Sequence, residues 1–175
     1  LFFGMIKKVK GLDLLLSAMP KVIQNNPEVI LLVAGKPWKD NFSTYQAIID
    51  KLQISNNCIL HIKFISYEDV EHYYCAADIV VLPYSKIYQS GVLMMSLSYG
   101  KPVVLSDLES FKEIVTDKKS GLFFKSGNIS SLSEVINNAL DSTDLLVKIQ
   151  LQGLDLMKSK YSWSKIGEQT RDAYR

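Results

Sequence analysis

Asp78-Ile79-Val80-Val81-Leu82-Pro83-Tyr84, then Gln89-Ser90-Gly91, an apolar run of helical length, and Gly100-Lys101-Pro102-Val103-Val104: this stretch decides the fold. It reads as a buried strand, a loop, a helix opening on Ser90-Gly91 and a second buried strand. A helix that starts just past a parallel strand leaves its first N–H groups pointing outward, at the positive end of the helix dipole. Gly91 carries no Cβ, so a phosphate can approach its backbone closely. Two readings stand side by side at this point. One is a phosphate or nucleotide site; the other is an ordinary α/β turn made by Pro83 and Gly91.

Working outward, the same alternation continues. Phe2-Phe3 is a short strand that ends at Gly4. Gly11 opens a helix to about residue 24, with Leu12, Leu15, Leu16, Met19 and Ile23 on one stripe, and Asn25-Asn26-Pro27 stops it. Residues 29–34 form a continuous β-rich run, as expected of a strand buried on both faces, and Gly35-Lys36-Pro37 ends it. A helix is predicted over 45–52. Residues 58–64 alternate as a strand with one face less buried. Ser66 has the form of a helix N-cap, with Asp69 three residues on as in a capping box, and that helix runs to about Ala76. Residues 79–82, 103–105 and 122–124 are the next strands; 132–140, 145–158 and 164–173 are helices. Strands alternating with helices predict right-handed βαβ units: an α/β domain built on a doubly wound parallel sheet of about six strands, with helices on both faces. Ligands of such sheets bind beyond the C-terminal strand ends, where strand order reverses.

Size and charge narrow the function. The 175 residues suffice for one α/β core, burying roughly 70% of the surface of the unfolded chain. A formal net charge of +2 is too small for a nucleic-acid footprint. The arginines, Arg171 and Arg175, sit at the extreme C-terminus, so an anion site in the body of the domain has to use lysine and backbone N–H groups. Cys58 and Cys75 have no metal spacing and read as small buried thiols in a reduced compartment rather than a disulfide. No run is long enough to cross a bilayer. The chain begins at Leu1 directly in a strand-like run, and it reads as an excised domain with an N-terminal partner missing.

Three further segments bear on chemistry. Gly4-Met5-Ile6-Lys7-Lys8-Val9-Lys10-Gly11 joins a strand to a helix with lysines between two glycines. Lys7 and Lys10 can reach one anion, and a charge-assisted hydrogen bond contributes roughly 1.5–3 kcal/mol. A solvated basic loop is the competing reading, and taken alone it is the stronger one. The segment is no Walker loop, which needs Gly-Lys-Ser/Thr. Gly35 would let a substrate come close to its strand end, or simply make a turn. Phe64-Ile65-Ser66 is a strand end able to hold a nucleobase, or merely core. His61 and His72 read as surface or satisfied residues, no Asp-x-Asp pair occurs, and no Gly-x-Ser-x-Gly turn supports a hydrolase.

Taken in order, these pieces resemble the C-terminal domain of GT-B glycosyltransferases of the large family-4 retaining group, a Rossmann-like fold. The resemblance runs through Phe3-Gly4, Lys10-Gly11-Leu12-Asp13, Leu32-Val33-Ala34-Gly35 and Phe64-Ile65-Ser66. It continues through Ala76-Ala77-Asp78 and the strand that follows, Ser90-Gly91, Gly100-Lys101-Pro102, Glu113-Ile114-Val115, Gly121-Leu122-Phe123-Phe124 and Tyr161-Ser162-Trp163. No single element is specific; the order and spacing are.

The resemblance implies that residues 1–175 are one nucleotide-sugar-binding domain whose N-terminal acceptor domain is absent. It implies a nucleotide-diphosphate sugar as donor, transfer of a hexosyl-type sugar with retention, and no essential metal or other cofactor. A polysaccharide, glycolipid or similar molecule would be the acceptor. The setting would be cytoplasmic, with any attachment to the inner face of the membrane made through the missing half. Gly4, Lys7 and Lys10 would lie against the diphosphate; Ser90, Gly91 and the N–H of Val92 would cradle a phosphate; Phe64 and Ile65 would flank the base. Met5 stands where the family more often has arginine. Tyr88 and Ser96 stand where it commonly has two glutamates; Ser96 is left to hydrogen-bond a ribose hydroxyl. Glu109-Ser110 replaces a frequent Gly-Gly. These departures motivate a second expectation, a nucleotide- or sugar-binding module that kept the fold and lost catalysis. No residue is assigned the chemical step, and the fragment alone is expected to transfer no sugar.

Overall fold

The protein, described by a computed structural model over residues 1–39 and 41–174, alternates strands and helices as far as its sixth strand and closes with three consecutive helices. The strands are β1 (Phe2–Phe3), β2 (Leu31–Ala34), β3 (Cys58–His61), β4 (Val80–Leu82), β5 (Val103–Ser106) and β6 (Leu122–Phe124). The helices are α1 (Leu12–Asn25), α2 (Ser43–Leu52), α3 (Tyr67–Cys75), α4 (Gly91–Ser98), α5 (Glu109–Lys112), α6 (Ile129–Leu140), α7 (Thr143–Ser159) and α8 (Trp163–Ala173).

All strand pairings are parallel, and the continuous apolar runs are divided residue by residue between two cores. Phe2, Leu31, Val33, Ile79, Val81, Val104, Leu122 and Phe124 face one side, where α1, α2 and α6 cover them. Phe3, Ala34, Val80, Leu82, Val103 and Leu105 face the other, against α3, α4 and α5. Strictly alternating side chains with both faces covered are why these strands show no polar alternation in sequence. Helix α7 starts on the first core with Leu145 and Ile149 and ends on the second with Leu156 and Met157.

The expectation of one six-stranded ladder is corrected to two three-stranded sheets, β1-β2-β3 and β4-β5-β6. They abut at Leu1, whose amine donates to the Ile79 carbonyl at 2.8 Å and whose carbonyl accepts from Val81 N at 2.9 Å. The chain therefore moves outward from β1 to β3, crosses back beside β1, and moves outward again from β4 to β6. The two sheets meet where strand order reverses, and ligands of doubly wound sheets bind at such a junction.

Some boundaries differ from the sequence expectation. Strand β3 stops at His61 because Lys63 N turns back to the His61 carbonyl at 3.0 Å, which leaves Phe64 in a loop. The box expected at Ser66 closes differently: Ser66 Oγ donates to Asp69 Oδ2 at 2.8 Å and caps no backbone N–H. Cys75 is exposed rather than buried, while burial pushes the half-buried Cys58 thiol up to about 11.

Candidate anion-binding site

Three loops leave the C-terminal ends of β1, β2 and β4 at the junction, and backbone contacts lock them together. The first loop passes through a 3-10 turn at Lys8–Lys10 and ends at Gly11, φ +67°. A β-carbon at Gly11 would overlap the Pro83 carbonyl, so this loop lies directly on the end of β4. Ser85 reinforces the contact, its N–H and hydroxyl both donating to the Val9 carbonyl at 2.9 and 3.3 Å. On the other flank, parallel pairing resumes beyond β1 and β2 at an Ile6–Pro37 bridge. There Ile6 N donates to Lys36 O at 2.9 Å and Trp38 N to Ile6 O at 3.0 Å.

Gly4 is the point of convergence. Its backbone is left-handed, φ +91°, and a β-carbon there would stand 3.3 Å from Lys10 Nζ and 3.4 Å from Val92 Cγ2. The end of β1, the Lys10 ammonium and the first turn of α4 thus share one spot. Lys10 Nζ also sits 5.5 Å from the centre of the Tyr84 ring, which is 2% exposed and backed by Phe111. Burial, and next the nearby Lys7, pull Lys10 down from 10.5 to about 8. The cost of an isolated ammonium in a half-dry setting is the physical cause. Lys7 itself rests on an indole, its Nζ 4.5 Å from the centre of the Trp38 ring.

Helix α4 supplies neutral donors. Ser90 is its N-cap, extended at φ −130° and ψ 101°, with Oγ accepting from Leu93 N at 3.1 Å. The Ser90 carbonyl takes Met94 N at 3.2 Å. Among the described residues the Gly91 and Val92 N–H groups have no partner. The space beside Gly91 is open, with no heavy atom within 4 Å of where a β-carbon would stand. Gly4 and Gly11 are required by backbone and packing; nothing in the fold requires glycine at 91.

The remaining expected residues fall into three groups. Gly35, φ +152°, makes no room for a substrate: a β-carbon there would overlap the Gly4 carbonyl, so that space is already taken by the first loop. Phe64 is 72% exposed in the β3–α3 loop, on the same end of the sheet as Gly4 but separated from β1 by β2. Ile65 is half-buried against the second core. Ser96, expected at a ribose, is wholly buried and donates to the Val92 carbonyl at 2.7 Å. The structure thus brings together Gly4, Lys10, Ser90, Gly91 and Val92, keeps Lys7 adjacent, and turns Ser96 inward. Tyr88 is 82% exposed on the β4–α4 loop. Ser110 braces that loop, its hydroxyl donating to the Ile87 carbonyl at 2.9 Å.

Sequence reasoning missed the two aromatic seats under the lysines. Both Trp38 and Tyr84 follow a proline just past a strand end, and that repeated placement was the available signal. Two cavities lie elsewhere. One of about 700 Å³, mostly apolar, opens at the N-terminal strand ends around Leu1, Met19, Val29 and Ile79; one of about 320 Å³ lies between His61, Asp69 and His72. Among the described residues no three His, Cys, Asp or Glu side chains are grouped to hold a metal ion, and no helix is long and apolar enough to cross a membrane.

The sequence profile of the family described as "Glycosyl transferases group 1" matches residues 1–153. Spore coat protein SA of Bacillus subtilis is 23% identical over 99% of this chain and 48% of its own length. Among solved structures, Anabaena Alr3699/HepE in complex with UDP superposes with a TM-score of 0.87 at 19% identity, over 99% of this chain and 48% of that one. The C-terminal domain of the glycosyl transferase group 1 family protein LpcC from Francisella tularensis gives 0.83 at 20% identity, over 93% of this chain and 85% of that one. The chain spans about half the length of the curated relatives it matches.

Proposed function

Because the chain belongs to the glycosyl transferases group 1 family, we propose that it is the half of a GT-B glycosyltransferase that binds a nucleotide-diphosphate sugar. The observation that carries this reading is the meeting of Lys10 Nζ, Gly4 and the first turn of α4 at the junction of the two sheets. A pyrophosphate there would receive the Gly91 and Val92 N–H groups and the ammonium of Lys10, with Lys7 close by. These donors are held in place before any ligand arrives. They favour the charge that develops on the diphosphate as the bond from the anomeric carbon to its oxygen breaks. Phe64 and Ile65, at the same end of the sheet, are the residues proposed to flank the base.

The sugar would be a hexose, transferred with retention, and the ammonium and amide groups would do the work that a metal does at other diphosphate sites. An N-terminal domain of the same full-length protein would supply acceptor contacts, the acceptor being a polysaccharide, glycolipid or similar molecule. The domain by itself would bind nucleotide and transfer nothing. The proposed setting is cytoplasmic, with any membrane contact made by the other half. Calorimetry of the 175-residue chain against UDP, GDP and ADP tests the reading. We expect heat with at least one of them; none at millimolar concentration overturns it.

A second reading, a binding module without catalysis, is favoured by one observation. Ser96 is inside the fold with its hydroxyl committed to Val92, and Tyr88 offers no carboxylate. Donor-dependent transfer by the full-length protein would exclude it.

A further inference from the structure

We propose that Trp38 is a positioning residue for the diphosphate site: its indole face carries the Lys7 ammonium and sets where that charge meets the ligand. This rests on the donor-site reading above. The first support is backbone register. Ile6 and Pro37 form a parallel bridge, so the residues that follow them, Lys7 and Trp38, emerge side by side. The two hydrogen bonds of the bridge, Ile6 N to Lys36 O and Trp38 N to Ile6 O, fix both chains there. The second support is the side-chain geometry, Lys7 Nζ at 4.5 Å from the ring centre, well inside the range where an indole attracts a cation.

The third support is what Trp38 does not do. It is 55% exposed and belongs to neither core, so the fold has no packing use for so large an apolar residue. A free lysine has a flexible four-carbon stem, and ordering it on a ligand costs rotamer entropy. Lys7 also lies near enough to Lys10 to lower its basicity, so each ammonium tends to drive the other away from a common anion. The electron-rich indole face opposes both effects. It holds Lys7 beside the site before the anion arrives, as the Tyr84 ring does for Lys10.

The test is a double-mutant cycle read by calorimetry with whichever of UDP, GDP and ADP binds the parent most tightly. Trp38→Leu should weaken binding roughly three- to fivefold, and Trp38→Phe should recover most of that loss. Trp38→Leu should add nothing once Lys7→Ala is present, because the indole acts through the ammonium. If Trp38→Leu does not give a cooperative thermal melt, the same coupling is read between Trp38→Gln, which also removes the aromatic face at this exposed position, and Lys7→Ala. Parent-like binding by Trp38→Leu, a phenylalanine no better than leucine, or losses that simply add would each overturn the assignment while leaving the donor site intact. A parent chain that binds none of the three nucleotides overturns the donor-site reading and this inference together.

Discussion

The β-carbon that any other residue would bring to position 11 falls on the carbonyl oxygen of Pro83, so Gly11 and Pro83 lock the first loop onto the end of β4. Two separate demands meet at Gly11: a left-handed backbone at φ +67°, and backbone-to-backbone contact with no room for a methyl group. Gly11→Ala should therefore destabilise the domain by about 2–4 kcal/mol, a left-handed non-glycine residue plus a displaced loop. Urea unfolding would show it as a lower midpoint at unchanged slope. A variant as stable as the parent would mean that the loops are not locked.

Gly91→Ala should behave in the opposite way. The space beside Gly91 is empty, and alanine is a better helix former than glycine, so stability should hold or rise by about 0.5 kcal/mol. Nucleoside diphosphate binding should nevertheless fall by roughly tenfold, because the methyl group stands where the phosphate has to approach the amides. Unchanged affinity would remove Gly91 from the site.

Lys10 gives the site a pH signature. Its basicity is lowered to about 8, so the free protein carries the charge at pH 7 and loses it progressively above pH 8. Diphosphate affinity should decline from pH 7 to 9, and that slope should vanish in Lys10→Met. Stability moves the other way. The unfolded chain holds this proton up to 10.5 and the folded one only to about 8, so between those values the unfolded state binds more protons. Lys10 therefore contributes a rise in stability with pH across that window, fully reached above 10.5, and Lys10→Met should lack it.

Ser90 separates capping from binding. Ser90→Ala removes the oxygen that accepts Leu93 N and should cost about 1 kcal/mol. Ser90→Asp restores an N-cap and a favourable charge for the helix dipole, so its melting temperature should stay near that of the parent. The same carboxylate would repel a phosphate at Gly91 and Val92. Strong nucleotide binding by a stable Ser90→Asp protein would rule against an anion at this helix end.

Tyr74 tests the hidden side of α4. Among the described residues its buried hydroxyl makes no hydrogen bond of normal geometry, although it lies beside the Ser96 hydroxyl, which donates to Val92, and burial raises Tyr74 to about 12. The ring stacks on Tyr99 at 4.9 Å and packs against Phe3 at 5.1 Å, contacts that phenylalanine keeps. Tyr74→Phe should be neutral or stabilise by up to about 1 kcal/mol, read as a raised melting temperature. A loss of stability would show that the hydroxyl has a partner in solution.

Much of this arrangement was legible in the chain. The β-rich runs around Val33 and Val81, closed by Gly35 and Pro83 and each followed by a helix-sized segment, make the strand–helix alternation readable, and the absence of polar positions in them marks strands buried on both faces. The Ser90-Gly91 cap was legible because capping chemistry is local. The division into two sheets was not legible, nor was the early end of β3, because both depend on hydrogen bonds between distant segments: Leu1 with Ile79 and Val81, Gly35 with His61. Sequence could not distinguish the purposes of its glycines either. At Gly35 the sequence leaves ligand approach and a simple turn as equal readings, and in the structure that space is filled by the Gly4 carbonyl.

The sequence by itself determined the strands, the longer helices and their order, though not the single turn of α5, and with them a helix N-terminus next to a strand end, since each follows from near-neighbour periodicity and turn chemistry. Only the tertiary structure decided that Lys10 and Val92 meet at Gly4, that Lys7 lies on Trp38, and that Ser96 points inward. Those meetings depend on which strands lie side by side and how their loops interlock. That is set by packing across the whole sheet and not by any one segment.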